Sequence, residues 1–456
     1  MNFRAFFTIA LVVSLFVSIV NVPSRALLVS ASVQTPLTPD QLRAAYNVNP
    51  LIRSGYTGKG VTVAVVTTNN DDKFYSDMKA FNRMYGLPDV DISVVKPYGL
   101  DNPKQMNREE TGDVELVHAM APDAKILLVV TATHPAPYAF SYVIDHNAAD
   151  IATTSWYESF WDTGDGSSAK TVRSLNDDYA NSVKEKITLI TASGDLGSDE
   201  SLTGFAAPGD GDSWHKHLPN AYVFPMYSPW VTQVGGTVLT LESGKYTETG
   251  WKGSGGGPSK LFSQPEWQTG LEVPKNNARN IPDIALNAAC ETPYAIYFNG
   301  SSNVMCGTIG AAPTFAGIVA DIEQAAGERL GFLNPTLYSI ASSDPSVYHE
   351  ITSGCSLLQP NPNEKAAKTG YCAHAGWNFV TGWGSIDATK LATHLAPKAH
   401  IIPAATTTTT SREDTKQTNG KAFEYIPYII AALVIAASVL LGFIYVRKRT
   451  AKNQGK

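Results

Sequence analysis

Charge is scarce in this chain and unevenly spread. Only 17% of its 456 residues are Asp, Glu, Lys or Arg, against 43% apolar, a balance too apolar for an intrinsically disordered chain. Residues 5–24 and 425–446 carry no charge at all. Basic residues are the minority, 35 against 41 acids for a net charge of −6. The chain therefore lacks the positive footprint that a nucleic-acid partner needs. Cysteine is nearly absent as well. Cys290, Cys306, Cys355 and Cys372 form no CxxC spacing, which argues against a zinc site. No internal repeat is visible, so nothing points to a solenoid. The length allows one large domain or two to three small ones.

The two charge-free runs sit at the ends. Residues 5–24 follow Arg4, and small residues stand at Ser24/Ala26 and Val29/Ala31, the −3/−1 positions of two cut sites. Residues 1–31 thus read as a secretory signal, or as an N-terminal anchor given the length of the run. The 22 uncharged residues 425–446 are enough to cross the ~30 Å hydrocarbon core as a transmembrane helix. Arg447, Lys448, Arg449, Lys452 and Lys456 follow with no acid, which predicts a cytoplasmic tail over 447–456 and a body outside the cell membrane. Residues 398–424 include Thr406 to Thr410 in a row. They cannot bury a core and read as a stalk, a candidate for O-glycosylation. A sequon stands at Asn299-Gly300-Ser301. In an exported chain the two close cysteine pairs favour disulfides 290–306 and 355–372 over the two other connectivities.

In the body, β-branched runs at 61–67 (VTVAVVT), 125–131 (KILLVVT), 150–155 (DIATTS) and 187–193 (ITLITAS) read as strands buried on both faces. Helical patterns over 109–120 and 313–326 alternate with them, giving a doubly wound α/β domain with a parallel sheet and helices on both faces. Four segments carry chemistry. Glu109 and Asp113 are i and i+4, so their carboxylates share one helix face. Close carboxylates push their pKa values apart, which lets one accept a proton; the plainer role is to complement the helix dipole. Asp195 sits in a Gly-flanked turn just past a strand, a place for an aimed group or for an ordinary turn residue. Residues 306–313 (CGTIGAAP) read as a tight strand-to-helix elbow with Pro in the first turn. Residues 253–259 (GSGGGPS) read as a loop whose backbone approaches a peptide, or as a merely flexible one.

Together these segments resemble the sedolisin family, the serine-carboxyl peptidases with a subtilisin-like fold. The resemblance runs over about 36–397. It includes 58–65 (GKGVTVAV), 228–232 (SPWVT), 253–268 (GSGGGPSKLFSQPEWQ), 349–354 (HEITSG) and 376–385 (GWNFVTGWGS). It implies that Glu109 is similar to the family's general base, Asp113 to the acid orienting it, and Asp195 to the protonated acid that donates to the oxyanion. The family's nucleophile motif is Gly-Thr-Ser-x-x-Ala-Pro. Here Gly307-Thr308 and Ala312-Pro313 hold the register and Ile309 stands in the serine position.

A sec-butyl side chain has no lone pair and cannot form an acyl-enzyme. Thr308 is adjacent, but a one-residue shift on an elbow redirects the side chain. The substrate-binding strand, Ser-Trp-Gly in the family, is Ser155-Trp156-Tyr157, and Gly255 and Gly256 belong to the same expected peptide-binding set. A Tyr at 157 in place of Gly is expected to narrow the cleft. The resemblance starts at what is similar to a mature enzyme, without the family's long pro-domain before it. It also implies a calcium site formed by Glu350, the carbonyls of Ile351, His374 and Gly376, and Asn378. That set has one carboxylate and one amide where calcium prefers two or three carboxylates, so it is a degenerate site. The expectation is a membrane-anchored extracellular domain that binds a peptide or protein ligand without normal proteolysis. The alternatives are an acid endopeptidase using Glu109, Asp113 and Asp195 with another nucleophile or an activated water, and a surface protein with no use for the cleft.

Overall fold

Alternation along the strands decides the architecture. The computed structural model describes residues 35–68, 72–98, 108–131, 136–161, 164–198, 203–204, 216–217, 221–242, 244–358 and 368–403. Within it, β1 (Thr62–Thr67), β2 (Asp91–Val95), β3 (Lys125–Val130), β4 (Ile151–Thr154), β5 (Thr188–Ala192), β6 (Thr232–Glu242), β7 (Lys245–Gly250) and β8 (Ile284–Asn287) form one eight-stranded sheet. The order is β7-β6-β5-β4-β1-β3-β2, with β8 also paired to β6. All pairings are parallel except the β6–β7 hairpin. Successive side chains of a strand point to opposite faces. Val63 and Val65 of β1 and Ile126, Leu128 and Val130 of β3 therefore enter one apolar cluster, while Ala64, Val66, Leu127 and Val129 enter a second. This is why the four strand-forming runs are apolar almost without a break.

Each face is covered by helices. Helices α1 (Pro39–Ala45), α2 (Asp72–Tyr85), α3 (Arg108–Met120) and α6 (Thr308–Ala326) contribute to the first cluster. Helices α4 (Ala136–Asp145) and α5 (Ser167–Tyr179) contribute Phe140, Val143, Val172, Leu175 and Tyr179 to the second. The strands read from the sequence agree with β1, β3, β4 and β5 to within a residue or two. The helix expected over 313–326 begins five residues earlier, at Thr308, with Pro313 inside it.

Cys290–Cys306 and Cys355–Cys372 are both disulfides, and no cysteine is free. The first ties the segment after β8 to the residue that precedes the α6 elbow. The second joins the strands Cys355–Leu358 and Lys368–Cys372. The chain divides into a unit over 1–404 and another over 405–456. The expected signal or anchor at 1–31, the transmembrane helix at 425–446, the tail at 447–456 and the stalk beyond residue 403 all lie outside the described residues. Among the described residues no helix is long and apolar enough to cross a membrane.

Candidate active site

Strand order puts chemistry at the carboxyl ends of three interior strands. The segments leaving β1, β4 and β5 at their carboxyl ends carry Thr68, Ser155 and Asp195, and open α/β sheets hold their ligand sites at such ends. The N-termini of α3 and α6 arrive there as well. Glu109 and Glu110 lie in the first turn of α3, where the helix dipole favours negative charge. Glu110 is fully buried and accepts from the Thr68 amide at 2.5 Å and from the Thr68 hydroxyl.

The charge of Asp195 reaches Glu109, and the charge of Glu109 reaches Asp113. Burial pushes the Glu109 carboxyl up to about 8, and the negative charges of Asp195 and Glu110 add to the rise. Asp113 is 1% exposed. Burial and then the charge of Glu109 hold it well above the usual carboxylate range, while the nearby Ser155 hydroxyl pulls the other way. Its Oδ1 has no hydrogen-bond partner among the described residues.

Asp195 is built into the elbow. Its Oδ1 accepts from the Thr308 amide at 2.7 Å and from the Thr308 hydroxyl at 2.7 Å. Thr308 Oγ1 in turn accepts from the Gly194 amide at 3.1 Å. A carboxylate 113 residues away in sequence thus satisfies an orphan N–H at the start of α6. Burial raises the Asp195 pKa and the two Thr308 hydrogen bonds hold it back. Because both donors use Oδ1, a proton on neutral Asp195 resides on Oδ2. That oxygen faces Gly307, whose φ of +116° and lack of a Cβ leave room for it.

Ile309 is half-buried and packs against the first apolar cluster. Its carbonyl would normally accept from residue 313, but Pro313 has no N–H to give. Ser155 takes the vacancy, its hydroxyl donating to Ile309 O at 3.2 Å. Ser155 therefore ties the carboxyl end of β4 to the elbow. Trp156 and Tyr157 are half-buried and pack against the second apolar cluster.

Gly255 and Gly256 have a different setting from an open loop. Residues 253–257 are all buried. Gly255 N donates to Gly194 O at 2.9 Å, Gly197 N donates to Gly253 O at 2.9 Å, and Ser193 Oγ donates to Gly255 O at 2.8 Å. A Cβ on Gly256 would strike the Phe379 carbonyl. The glycine loop is thus a buried buttress behind Asp195 and not a flexible segment.

Sequence reasoning treated Thr308 only as a stand-in nucleophile. Its buried hydroxyl is spent on Asp195, and no local signal announces that pairing. Glu110 has no role in the sequence reading, and its place between Glu109 and Asp113 is the one hint the sequence offers. Glu350, Ile351, His374, Gly376 and Asn378 do come together in one loop region. There Glu350 Oε1 accepts from Gly376 N at 3.0 Å and Asn378 Nδ2 donates to His374 O at 3.1 Å. Among the described residues no group of three or more His, Cys, Asp or Glu is placed to hold a metal ion. Hydrogen-bond donors aimed at the would-be ligands do not fit a calcium ion, which needs six to eight oxygens turned inward.

No protein-family profile matches the chain. Individual proteins do. It is 29% identical over 390 residues to kumamolisin of Bacillus sp. (strain MN-32), covering 80% of this chain and 64% of that protein. It is 28% identical over 366 residues to sedolisin of Pseudomonas sp. (strain 101), covering 75% and 59%. The chain therefore spans less than two thirds of the length of these relatives. Among solved structures, Pseudomonas sedolisin, a serine-carboxyl proteinase complexed with two molecules of pseudo-iodotyrostatin, superposes with a TM-score of 0.65 at 26% identity. That match covers 80% of this chain and 100% of the sedolisin chain. In sequence over most of its length and in its subtilisin-like fold, the chain is similar to proteins of the sedolisin family.

Proposed function

We propose that this chain is a membrane-anchored, extracellular sedolisin-like domain that binds a peptide or protein ligand and lacks serine-type proteolysis. One observation carries the reading. Ile309 stands in the serine position of the family motif, at the start of α6 and next to Thr308, which holds Asp195. Loss of a triad nucleophile typically costs on the order of 10⁶ in turnover. The nearby hydroxyl offers no obvious replacement, because Thr308 Oγ1 is engaged with Asp195. Anchoring rests on the uncharged run 425–446 and the basic residues after it. With a cytoplasmic tail, protease added to intact cells sheds the body by cutting within 403–421; a tail epitope accessible on intact cells overturns the orientation.

The second reading is an acid endopeptidase that activates water. It is favoured by the raised pKa of Glu109, to which the charge of Asp195 adds, since a carboxyl lifted toward neutrality suits general acid–base work. A digest of denatured protein at about pH 4, compared with Glu109→Ala, separates the two. Binding without cleavage is the expected outcome. Cleavage by the wild type that Glu109→Ala abolishes establishes the acid peptidase instead.

A further inference from the structure

The loop that the family resemblance marks for calcium is closed here by hydrogen bonds. Asn378 is 2% exposed. Its Oδ1 accepts from Val380 N at 3.0 Å, Thr381 N at 2.9 Å and Thr381 Oγ1 at 3.1 Å. A carbonyl oxygen has two lone pairs, so three donors leave nothing for a cation. Two of those donors are backbone amides, which fixes the oxygen's identity and turns Nδ2 the opposite way. Nδ2 then donates to His374 O at 3.1 Å. The remaining carboxylate, Glu350, accepts from the Gly376 amide. The backbone closes the same turn, with Asn378 N donating to Gly382 O at 3.0 Å and Gly382 N donating to Asn378 O at 2.8 Å. The Cys355–Cys372 disulfide pins the hairpin that precedes it.

We propose that the Asn378 side-chain amide takes the structural place of a cation in this loop, so that the fold closes without metal. The electrostatics are direct. A cation draws several oxygens together, and an amide NH₂ draws the His374 carbonyl with a partial positive charge while its oxygen gathers the 380–381 amides. An Asp at 378 would still accept from those amides. It would, however, present a second oxygen to the His374 carbonyl, and two acceptors repel unless a cation lies between them. The inference is independent of whether the cleft cleaves or only binds.

The test is thermal unfolding of the full-length chain in calcium chloride and in EGTA. The expected result is one wild-type Tm in both. Asn378→Asp is expected to melt several degrees lower than wild type in EGTA, a shift matching the loss of one buried hydrogen bond and the repulsion that replaces it, and to regain stability in calcium. A wild-type Tm that falls in EGTA overturns the proposal. So does an Asn378→Asp variant as stable as wild type in EGTA. Should Asn378→Asp fail to fold, the wild-type pair decides alone, with calorimetric titration of calcium chloride into the EGTA-stripped chain as the second measurement. Glu272 and Glu350 line a cleft of about 630 Å³ beside Gly376. Stoichiometric calcium uptake by wild type that Glu350→Gln abolishes would likewise overturn the proposal.

Discussion

Ile309 differs from a serine in two ways that separate experiments can read. It has no hydroxyl, and its side chain packs against the first apolar cluster beside Gly307 and Asp195. If the hydroxyl is the one missing chemical group, Ile309→Ser creates peptidase activity, because the three acids are already gathered. Glu109→Ala in the same chain should abolish the gain. The activity should fade as pH rises and Asp195 ionises, since a carboxylate cannot donate to an oxyanion. Removing the sec-butyl group costs about 1–3 kcal/mol of stability through lost packing, readable as a lowered Tm. Tyr157 stands where the family has Gly, so Ile309→Ser/Tyr157→Gly is the fuller trial. Turnover of a denatured protein substrate at about pH 4 is the measurement. A double variant that cleaves nothing shows that the site was silenced by more than these two side chains.

At the scale of elements, the elbow between the disulfide and α6 holds the site in register. Thr308→Val keeps the backbone hydrogen bond to Asp195 and removes the hydroxyl one. Hydrogen bonds to a carboxylate favour its charged form, so the Asp195 pKa should climb above its already raised position. A carboxyl NMR titration reads this directly. The Gly194 amide loses its acceptor at the same time, for a cost of about 1–2 kcal/mol. The Cys290–Cys306 bridge closes a loop of sequence separation 16, so Cys290→Ser/Cys306→Ser should lower stability by about 3 kcal/mol on the chain-entropy estimate. Chemical denaturation of the double variant checks it. Much of this region was legible in sequence and part was not, for physical reasons. Strands buried on both faces announce themselves as apolar runs, and carboxylates at i and i+4 must share a helix face. The start of α6 was misplaced because Pro normally marks a first turn; here Ser155 compensates the hydrogen bond that Pro313 cannot make. Strand β6 contains Gly235-Gly236, which interrupts its pattern, and its partner β7 is a polar edge. The pairing of Thr308 with Asp195 is tertiary and leaves no local trace.

For the whole molecule, buried acids set the direction of the pH response. Burial raises Glu109 to about 8 and Glu323 to about 7, and lifts Asp113, Asp195, Glu115, Glu248 and Asp321 above their ordinary values. An acid whose folded pKa is raised binds its proton more tightly in the native state. Its contribution to stability is fully present below the unfolded value of about 4.3 for Glu and is lost as pH rises through the folded value. For Glu109 and Glu323 that window lies between roughly pH 4.5 and 8. His118 works in the opposite direction. It is fully buried, its Nε2–H donates to Pro88 O at 3.0 Å, and burial lowers its pKa to about 4. The unfolded chain takes up that proton first, so acidification from about pH 6.5 to 4 withdraws about 3 kcal/mol. Several acids oppose one histidine, so Tm should rise as pH falls from about 8 to about 5 and level or turn down only as His118 is titrated. Calorimetry across that range is the measurement, and Glu109→Gln should flatten the rise by removing one of its titrating groups. A wild-type Tm that falls steadily from pH 8 to 5 would contradict the burial of these acids in their neutral form. The burial of Glu109, Asp113 and Asp195 thus has a thermodynamic signature that can be measured without a substrate, because the desolvation that raises their pKa values also ties the fold to acid conditions.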